Sequence, residues 1–161
     1  MADRYIWATH GGNAEAGKKV FYDKTEVSCQ RCHRIDWTGG KVGPNLSGVG
    51  VQYKRREILE SIVDPNLKIA AGHGQVVVMD VDDIMHTGIV KEETDKQLAL
   101  MDPDGKITRI AIEDIEERKE GKSSMPEGLA EQLTRDELRD LVEYLAQRKT
   151  PVEPAKEEGH E

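Results

Sequence analysis

The sequence is poor in the side chains that fill large hydrophobic cores. Aromatic residues make up 4% of the 161 residues, with a single phenylalanine, and all hydrophobic types together make up 37%. A membrane-crossing helix needs about 20 consecutive apolar residues, and no run of that length occurs, so we expect no membrane span in this chain. One domain with a large insertion is compatible with this composition if a buried apolar group supplements the core.

An excess of positive charge is also missing. The formal net charge is −8 at pH 7, which argues against general nucleic-acid binding because phosphate backbones select basic surfaces. The charge is uneven along the chain. Residues 1–71 hold 11 Lys/Arg and 8 Asp/Glu, whereas residues 72–118 hold 5 and 12. The mildly basic first part is therefore the better candidate to face an acidic partner.

Only two cysteines occur, Cys29 and Cys32, and His33 follows the second. This Cys-x-x-Cys-His pattern is typical of covalent haem attachment, because two thiols on one turn can each add to a vinyl group of one porphyrin. A redox pair does not need the histidine, and a structural zinc site usually has four ligands at its own spacings. The motif predicts one covalent haem c on Cys29 and Cys32, with His33 as an iron ligand.

A glycine-rich loop, 38–50, follows the motif and contains Gly43-Pro44-Asn45. A backbone carbonyl of this loop can accept the second ring N–H of His33, which would fix the tautomer and the orientation of the imidazole.

Three helices are predicted outside the motif. Asn13 can cap a helix that runs to about Tyr22, on which Gly17 and Phe21 share one face, and a glycine there suits a close helix crossing. A second helix covers Tyr53 to Val63 and is stopped by Asp64-Pro65-Asn66. Thr134 and Glu137 form a capping box for the last helix.

The middle of the chain has a β pattern. Four short runs rich in β-branched and aliphatic residues are separated by turn residues, which predicts a small antiparallel sheet, such as an SH3-like or Sm-like barrel. The sheet would be either a docking module or a lid on the haem. A polar linker is expected over 119–124. The four strands are expected at 75–80, 84–91, 97–101 and 106–112.

Several residues are candidates for the second axial ligand of the iron. Met125 lies in an irregular loop beside a proline, which can present a thioether to a haem face, and His73 lies between two glycines in a loop. The three methionines in predicted strands are better explained as parts of the sheet. The remaining candidates are Met79, Met85, Met101, His10, His86 and His160.

The order of these features resembles class I cytochrome c. In that family the first and last helices cross at a glycine and aromatic residues, here Gly17, Phe21 and Tyr144. The resemblance also implies that the Pro44 carbonyl supports the haem histidine and that Met125 is the distal ligand. A closer resemblance, carried by 43–50, 61–66, the β insertion and 124–129, is to the haem-binding domain of Planctomycete and Verrucomicrobium exported proteins.

This resemblance implies a mainly α cytochrome c fold, with about four to five helices around one haem and an inserted small antiparallel β-sheet or barrel. Residues 1–12 would be a lead-in and 150–161 a disordered tail. The cytochrome domain would comprise 13–71 and 119–149, and the inserted β subdomain 72–118.

The expected function is electron transfer rather than enzymatic catalysis, to or from an exported dehydrogenase, fused or separate, or another redox partner. The alternative is a haem enzyme or a sensor of peroxide or a gas, in which the distal ligand is displaced. Because haem is normally attached outside the bacterial cytoplasm, we expect a periplasmic or otherwise exported protein. Its leader would have been removed, or the chain would be a domain of a longer protein. The oligomeric state is left open.

Overall fold

In the described part of the chain, helices come first and last, and the strands lie between them. The structure is a computed structural model that describes residues 2–150. The expected tail at 150–161 lies, except for Thr150, outside the described residues. Within 2–150, no helix is both long and apolar enough to cross a membrane. The α-helices are α1 (Ala14–Asp23), α2 (Cys29–Cys32), α3 (Val49–Gln52), α4 (Arg55–Val63) and α5 (Arg135–Ala146), and short 3-10 helices cover Ala2–Thr9, Ile112–Asp114 and Leu129–Gln132.

The ends of the helices follow the local signals in the sequence. The Asn13 side chain accepts hydrogen bonds from the backbone N–H groups of Glu15 and Ala16, at 3.0 and 3.1 Å. Thr134 and Glu137 form the reciprocal capping box at the start of α5. Helix α4 ends at Val63, directly before Asp64 and Pro65. These predictions are confirmed.

Helices α1 and α5 cross closely at Gly17. A Cβ atom on Gly17 would lie 1.9 Å from the carbonyl oxygen of Asp140 and 2.8 Å from the Cβ of Tyr144. The rings of Phe21 and Tyr144 lie beside this crossing, with centroids 5.9 Å apart. The expectation that another helix approaches α1 at Gly17 is therefore confirmed.

The β structure consists of a small hairpin and a five-stranded antiparallel sheet. The hairpin follows the cysteine motif, and the four strands predicted in the middle of the chain all form. The strand order in the large sheet is β6-β5-β4-β3-β7. The strands are β1 (Arg34–Ile35), β2 (Thr38–Gly39), β3 (Gly74–Asp80), β4 (Met85–Glu93), β5 (Gln97–Met101), β6 (Ile107–Ala111) and β7 (Ile115–Ser123).

Strand β7 was missed, and the polar linker expected over 119–124 is wrong. Residues up to Ser123 belong to β7, which pairs with β3 along its length and brings Ser123 opposite Gly74. This strand carries mostly exposed charged residues. It lies at the edge of the sheet, where charged side chains are common because they discourage further strand pairing. It therefore lacks the apolar alternation that reveals a strand.

The prediction of a mainly α fold is wrong. Helices account for 36% of the structure and strands for 27%, because α2 and α3 are single turns and the sheet has five strands rather than four. Within the described residues the outer strands β6 and β7 are not paired with each other, so the ladder is open. The sheet has its own small core, formed by Val76, Val78, Leu98, Leu100 and Ile110.

The sheet joins the helical part beside the cysteine motif. Ile89 of β4 and Met101 of β5 form a small buried cluster with Val42, and Cys32 packs against this cluster. The chain enters the sheet just after His73 and leaves it at Ser123, and these two ends lie side by side in the β3–β7 pair.

Candidate functional site

An apolar cleft lies between the helices and the loops that follow α2 and β7. Helices α1, α4 and α5 each contribute apolar side chains, and the residues of the cysteine motif complete one part of the lining. The apolar lining includes Phe21, Leu46, Ile58, Ile62, Leu141 and Leu145. No residue between Gly74 and Lys122 lines this cleft, so the sheet contributes only Ser123, the last residue of β7, to its wall.

The imidazole of His33 is held by the loop that follows it. Its Nδ1 lies 2.9 Å from the Pro44 carbonyl oxygen, so Nδ1–H donates to this oxygen and Nε2 remains free to bind iron. Gly43 lies against the ring, since a Cβ atom there would be 2.7 Å from Cε1 and 2.8 Å from Nδ1. Burial lowers the pKa of His33, which favours the neutral imidazole that a metal requires.

Cys29 and Cys32 lie on the single turn of α2, at the edge of the cleft, and are not joined in a disulfide. Burial raises the pKa of Cys29 to about 11 and also raises that of Cys32. Redox-active cysteine pairs usually have a lowered thiol pKa, so the raised values do not favour a redox pair. In the part of the chain that the structure describes, no three His, Cys, Asp or Glu side chains are grouped to hold a metal ion.

Met125 lies in the loop between β7 and the 3-10 helix Leu129–Gln132. Its side chain is half-buried, lines the cleft and packs against the main helical core. Its backbone N–H donates to the Ser123 hydroxyl at 3.2 Å. The loop thus brings a thioether into the same apolar cleft as the His33 imidazole.

The candidate methionines of the sheet lie outside the cleft lining. Met85 is 69% exposed, and Met101 is buried against Val42 and Ile89. Met79 belongs to β3 and pairs with Met85. Met125 is therefore the one methionine among the described candidates that lines the cleft.

Among the histidine candidates, His73 also lines the cleft. Its Nδ1 lies 3.3 Å from the Val42 carbonyl oxygen, next to Gly43, which contacts the His33 ring. His73 thus lies beside His33.

The other histidines do not line the cleft. His10 contacts the hydroxyl of Thr9, and His86 contacts the carboxylate of Asp80, each at 2.7 Å. His160 lies outside the described residues.

The cleft fits a haem. It has an apolar lining, two thiols for thioether bonds, an oriented imidazole nitrogen and a thioether. These residues match the chemistry of a c-type haem, which supplies an Fe(II)/Fe(III) couple when bound.

A comparison with protein families supports this assignment. The family model described as Cytochrome c matches residues 14–102, which is more than half of the chain. The chain belongs to the cytochrome c family. This cytochrome c binds haem c and transfers electrons, a role that is generally not enzymatic, and cytochrome c domains are often exported. No curated protein matches the sequence. The match ends before Met125 and before α5, so it covers the attachment motif but not the distal loop.

Two residues near the site, Gly43 and Asn66, were not predicted from the sequence to belong to it. Gly43 contacts the His33 ring, and its only signal was its place before Pro44. Asn66 was taken as part of a helix stop, but its side chain bonds to the Met125 loop. A helix-stop signal describes local backbone conformation and contains no information about a partner far along the chain.

Proposed function

We propose that this cytochrome c is a monohaem electron carrier in which His33 and Met125 bind the iron. The observation that carries the proposal is that Met125, alone among the described candidate methionines, lines the cleft into which the cysteine motif brings His33. Two protein ligands leave no iron position for a substrate, so the change of iron oxidation state is the only chemistry left. This is the arrangement of an electron carrier rather than of an enzyme.

The surroundings of the two ligands suit this role. The hydrogen bond from His33 to Pro44 makes the imidazole a stronger donor to iron. The thioether of Met125 is a soft ligand that favours Fe(II) and raises the reduction potential. The apolar lining disfavours the additional charge of the oxidised form. The Met125 thioether and the apolar lining therefore favour a relatively high potential, whereas the stronger donation by His33 opposes them in part.

The proposal extends to class, location and partner. We propose a class I cytochrome c, closest to the haem-binding domain of Planctomycete and Verrucomicrobium exported proteins, located in the periplasm or otherwise outside the cytoplasm. Its haem domain comprises 13–71 and 124–149, and the inserted subdomain comprises 72–123 rather than 72–118, because its last strand continues to Ser123. The redox partner is a dehydrogenase, fused or separate, that faces the mildly basic residues 1–71.

Optical spectra of the haem-loaded protein test the ligand assignment. The oxidised protein is expected to show low-spin haem with the weak sulfur-to-iron band, and Met125→Ala is expected to lose that band. Met85→Ala is the matched control, because Met85 is 69% exposed on the sheet and its loss should leave the spectrum unchanged.

A high-spin wild-type spectrum, or a band that survives in Met125→Ala, would show that Met125 is not the ligand. Attention would then turn to His73, which also lines the cleft. Rapid binding of carbon monoxide or cyanide by the wild type would instead support a haem enzyme or sensor with a displaceable ligand.

A further inference from the structure

The side-chain amide of Asn66 bonds to the distal loop on both sides of Met125. Its Oδ1 accepts a hydrogen bond from the backbone N–H of Ser123 at 2.8 Å, and its Nδ2 donates to Oε1 of Glu127 at 2.5 Å. Ser123 lies two residues before Met125, and Glu127 lies two residues after it. One amide thus spans the segment that carries the proposed ligand.

The backbone on both sides of Asn66 is held in place by helix α4 and by a turn. It follows α4, whose buried face consists of Ile58, Leu59, Ile62 and Val63. Pro65 directly before it is buried, and its ring fixes the backbone angle φ. The Leu67 N–H donates to the Asp64 carbonyl at 3.1 Å and closes a turn around Asn66. The amide is therefore presented by a backbone that is held on both sides.

Few other side-chain hydrogen bonds or ion pairs hold the loop around Met125 in the described part of the chain. The Met125 N–H bonds to the Ser123 hydroxyl within the loop itself. The Lys122–Glu127 ion pair is exposed, with side chains 77% and 60% accessible, so it contributes little. Among the described residues, Asn66 makes the side-chain hydrogen bonds that join residues 123–127 to the helical part of the molecule. Loss of its amide would release both ends of the segment at once.

We propose that Asn66 is a positioning residue that determines how firmly Met125 is held in the cleft. It does not touch the iron, and it acts through the backbone of Ser123 and the side chain of Glu127. The inference rests on the proposed function, because it assigns Asn66 a role only if Met125 is the ligand. It places control of the distal ligand at the end of α4, far in sequence from the loop.

The test measures how fast imidazole displaces Met125 in the oxidised, haem-loaded protein, followed by loss of the sulfur-to-iron band. Asn66→Ala is expected to accelerate displacement about tenfold, the factor that corresponds to one or two net hydrogen bonds. It is also expected to increase hydrogen exchange at the Ser123 amide. Gln97→Ala is the control, because it removes an exposed amide from the sheet and should change neither rate.

A swap of hydrogen-bonding groups separates positioning from general destabilisation. Asn66→Asp keeps the acceptor for Ser123 but places a carboxylate next to Glu127, so displacement should again be faster than in the wild type. Adding Glu127→Gln supplies an amide donor at the other end and should return the rate toward the wild-type value. Glu127→Ala removes the exposed bond to Asn66 and the exposed Lys122 ion pair but keeps the bond between Ser123 and Asn66. It therefore provides a mild variant if Asn66→Ala does not fold, and its acceleration should be smaller.

The two ways in which the inference can fail are distinct. If the wild type shows the sulfur-to-iron band and Asn66→Ala exchanges ligand at the wild-type rate, Asn66 has no positioning role and the proposed ligation stands. Asn66 likewise has no positioning role if the double variant Asn66→Asp with Glu127→Gln exchanges its ligand as fast as Asn66→Asp alone. If the wild type lacks the band, the ligation by Met125 and the role of Asn66 are both overturned.

Discussion

The orientation of the His33 imidazole depends on two adjacent residues of the following loop. The Pro44 carbonyl receives the Nδ1–H, and Gly43 leaves the room in which the ring lies. The first contact fixes the rotation of the ring and the tautomer, and the second allows the loop backbone to approach the ring face. Both are needed to direct Nε2 to iron.

Gly43→Ala is expected to disturb this arrangement. The new Cβ would lie 2.7 Å from Cε1 of His33, so the ring or the loop must move, and overpacking of this kind costs about 1–3 kcal/mol of stability. We expect a lower midpoint of thermal unfolding and a shifted reduction potential. Gly74→Ala is the control, since the nearest atom to its Cβ would be at 3.8 Å. Equal effects of the two variants would contradict the account.

At the residue scale, sequence reasoning can identify groups whose chemistry is local. Cys29, Cys32 and His33 form one short pattern because one porphyrin dictates their spacing. Asn66 cannot be found this way, because its partner Ser123 is 57 residues further along the chain. Only the folded structure brings the two together.

Among the elements, α4 and α5 are connected by an ion pair between Arg55 and Glu143. The two terminal guanidinium nitrogens of Arg55 donate to the carboxylate of Glu143, and the distance from Nη2 to Oε1 is 3.0 Å. The hydrogen bond from Arg55 holds the pKa of Glu143 below its ordinary value of 4.5. The Arg55 side chain is 35% exposed, so the solvent screens part of this attraction.

Glu143→Gln is expected to lower stability in a pH-dependent way. A depressed pKa in the folded state stabilises the fold above the unfolded value, and this stabilisation is lost as the pH falls through the folded value. The variant should therefore be less stable than the wild type by about 1 kcal/mol or less at pH 7. The difference should begin to decrease at about pH 4.5 and vanish only below the lowered pKa of folded Glu143. Urea unfolding at several pH values measures this. A difference that persists in acid would mean that the lost contribution is packing rather than charge.

Helices with a local signal in the sequence were predicted correctly. The strand that forms only by pairing with a distant strand was missed. Helices α1 and α5 begin at the caps that Asn13 and Thr134 predict, because a cap bonds only to its own first turn. Strand β7 has mostly exposed charged side chains and becomes a strand because β3 pairs with it. Its sequence therefore resembles a linker.

In the whole molecule, the sheet is joined to the helical part at the edge of the cleft. Gly74 and Ser123 are partners in the β3–β7 pair, so their Cα atoms lie about 5 Å apart, as antiparallel partners do. None of the intervening residues lines the cleft. This arrangement favours a docking role for the sheet over a lid.

Replacing residues 75–122 by a two-residue Asn-Gly turn should leave haem attachment and the low-spin spectrum intact. Such a turn can bridge antiparallel partners. If the sheet contributes to docking beside residues 1–71, transfer to the proposed redox partner should slow. Asp104→Ala is the matched control, since it removes only the exposed Arg31–Asp104 ion pair between the sheet and the motif. If the shortened chain lost its haem, the sheet would be part of the haem site.

The mainly α prediction failed at this scale for a physical reason. The cysteine motif and the glycine on α1 are local sequence signals, and they say nothing about how much of the chain forms a sheet. The sheet has a small core of its own, separate from the core around α1 and α5. Because the sheet has its own core, it adds many strand residues to the helical part, and the fold is mixed rather than mainly α.

Protein-film voltammetry of the haem-loaded chain tests the central claim, that this cytochrome c is an electron carrier with a closed iron site. A closed His33/Met125 site should give one reversible one-electron wave, unchanged by cyanide or peroxide at short times, and a lower potential in Met125→Ala. A catalytic current with peroxide, or a potential that Met125→Ala does not change, would contradict it.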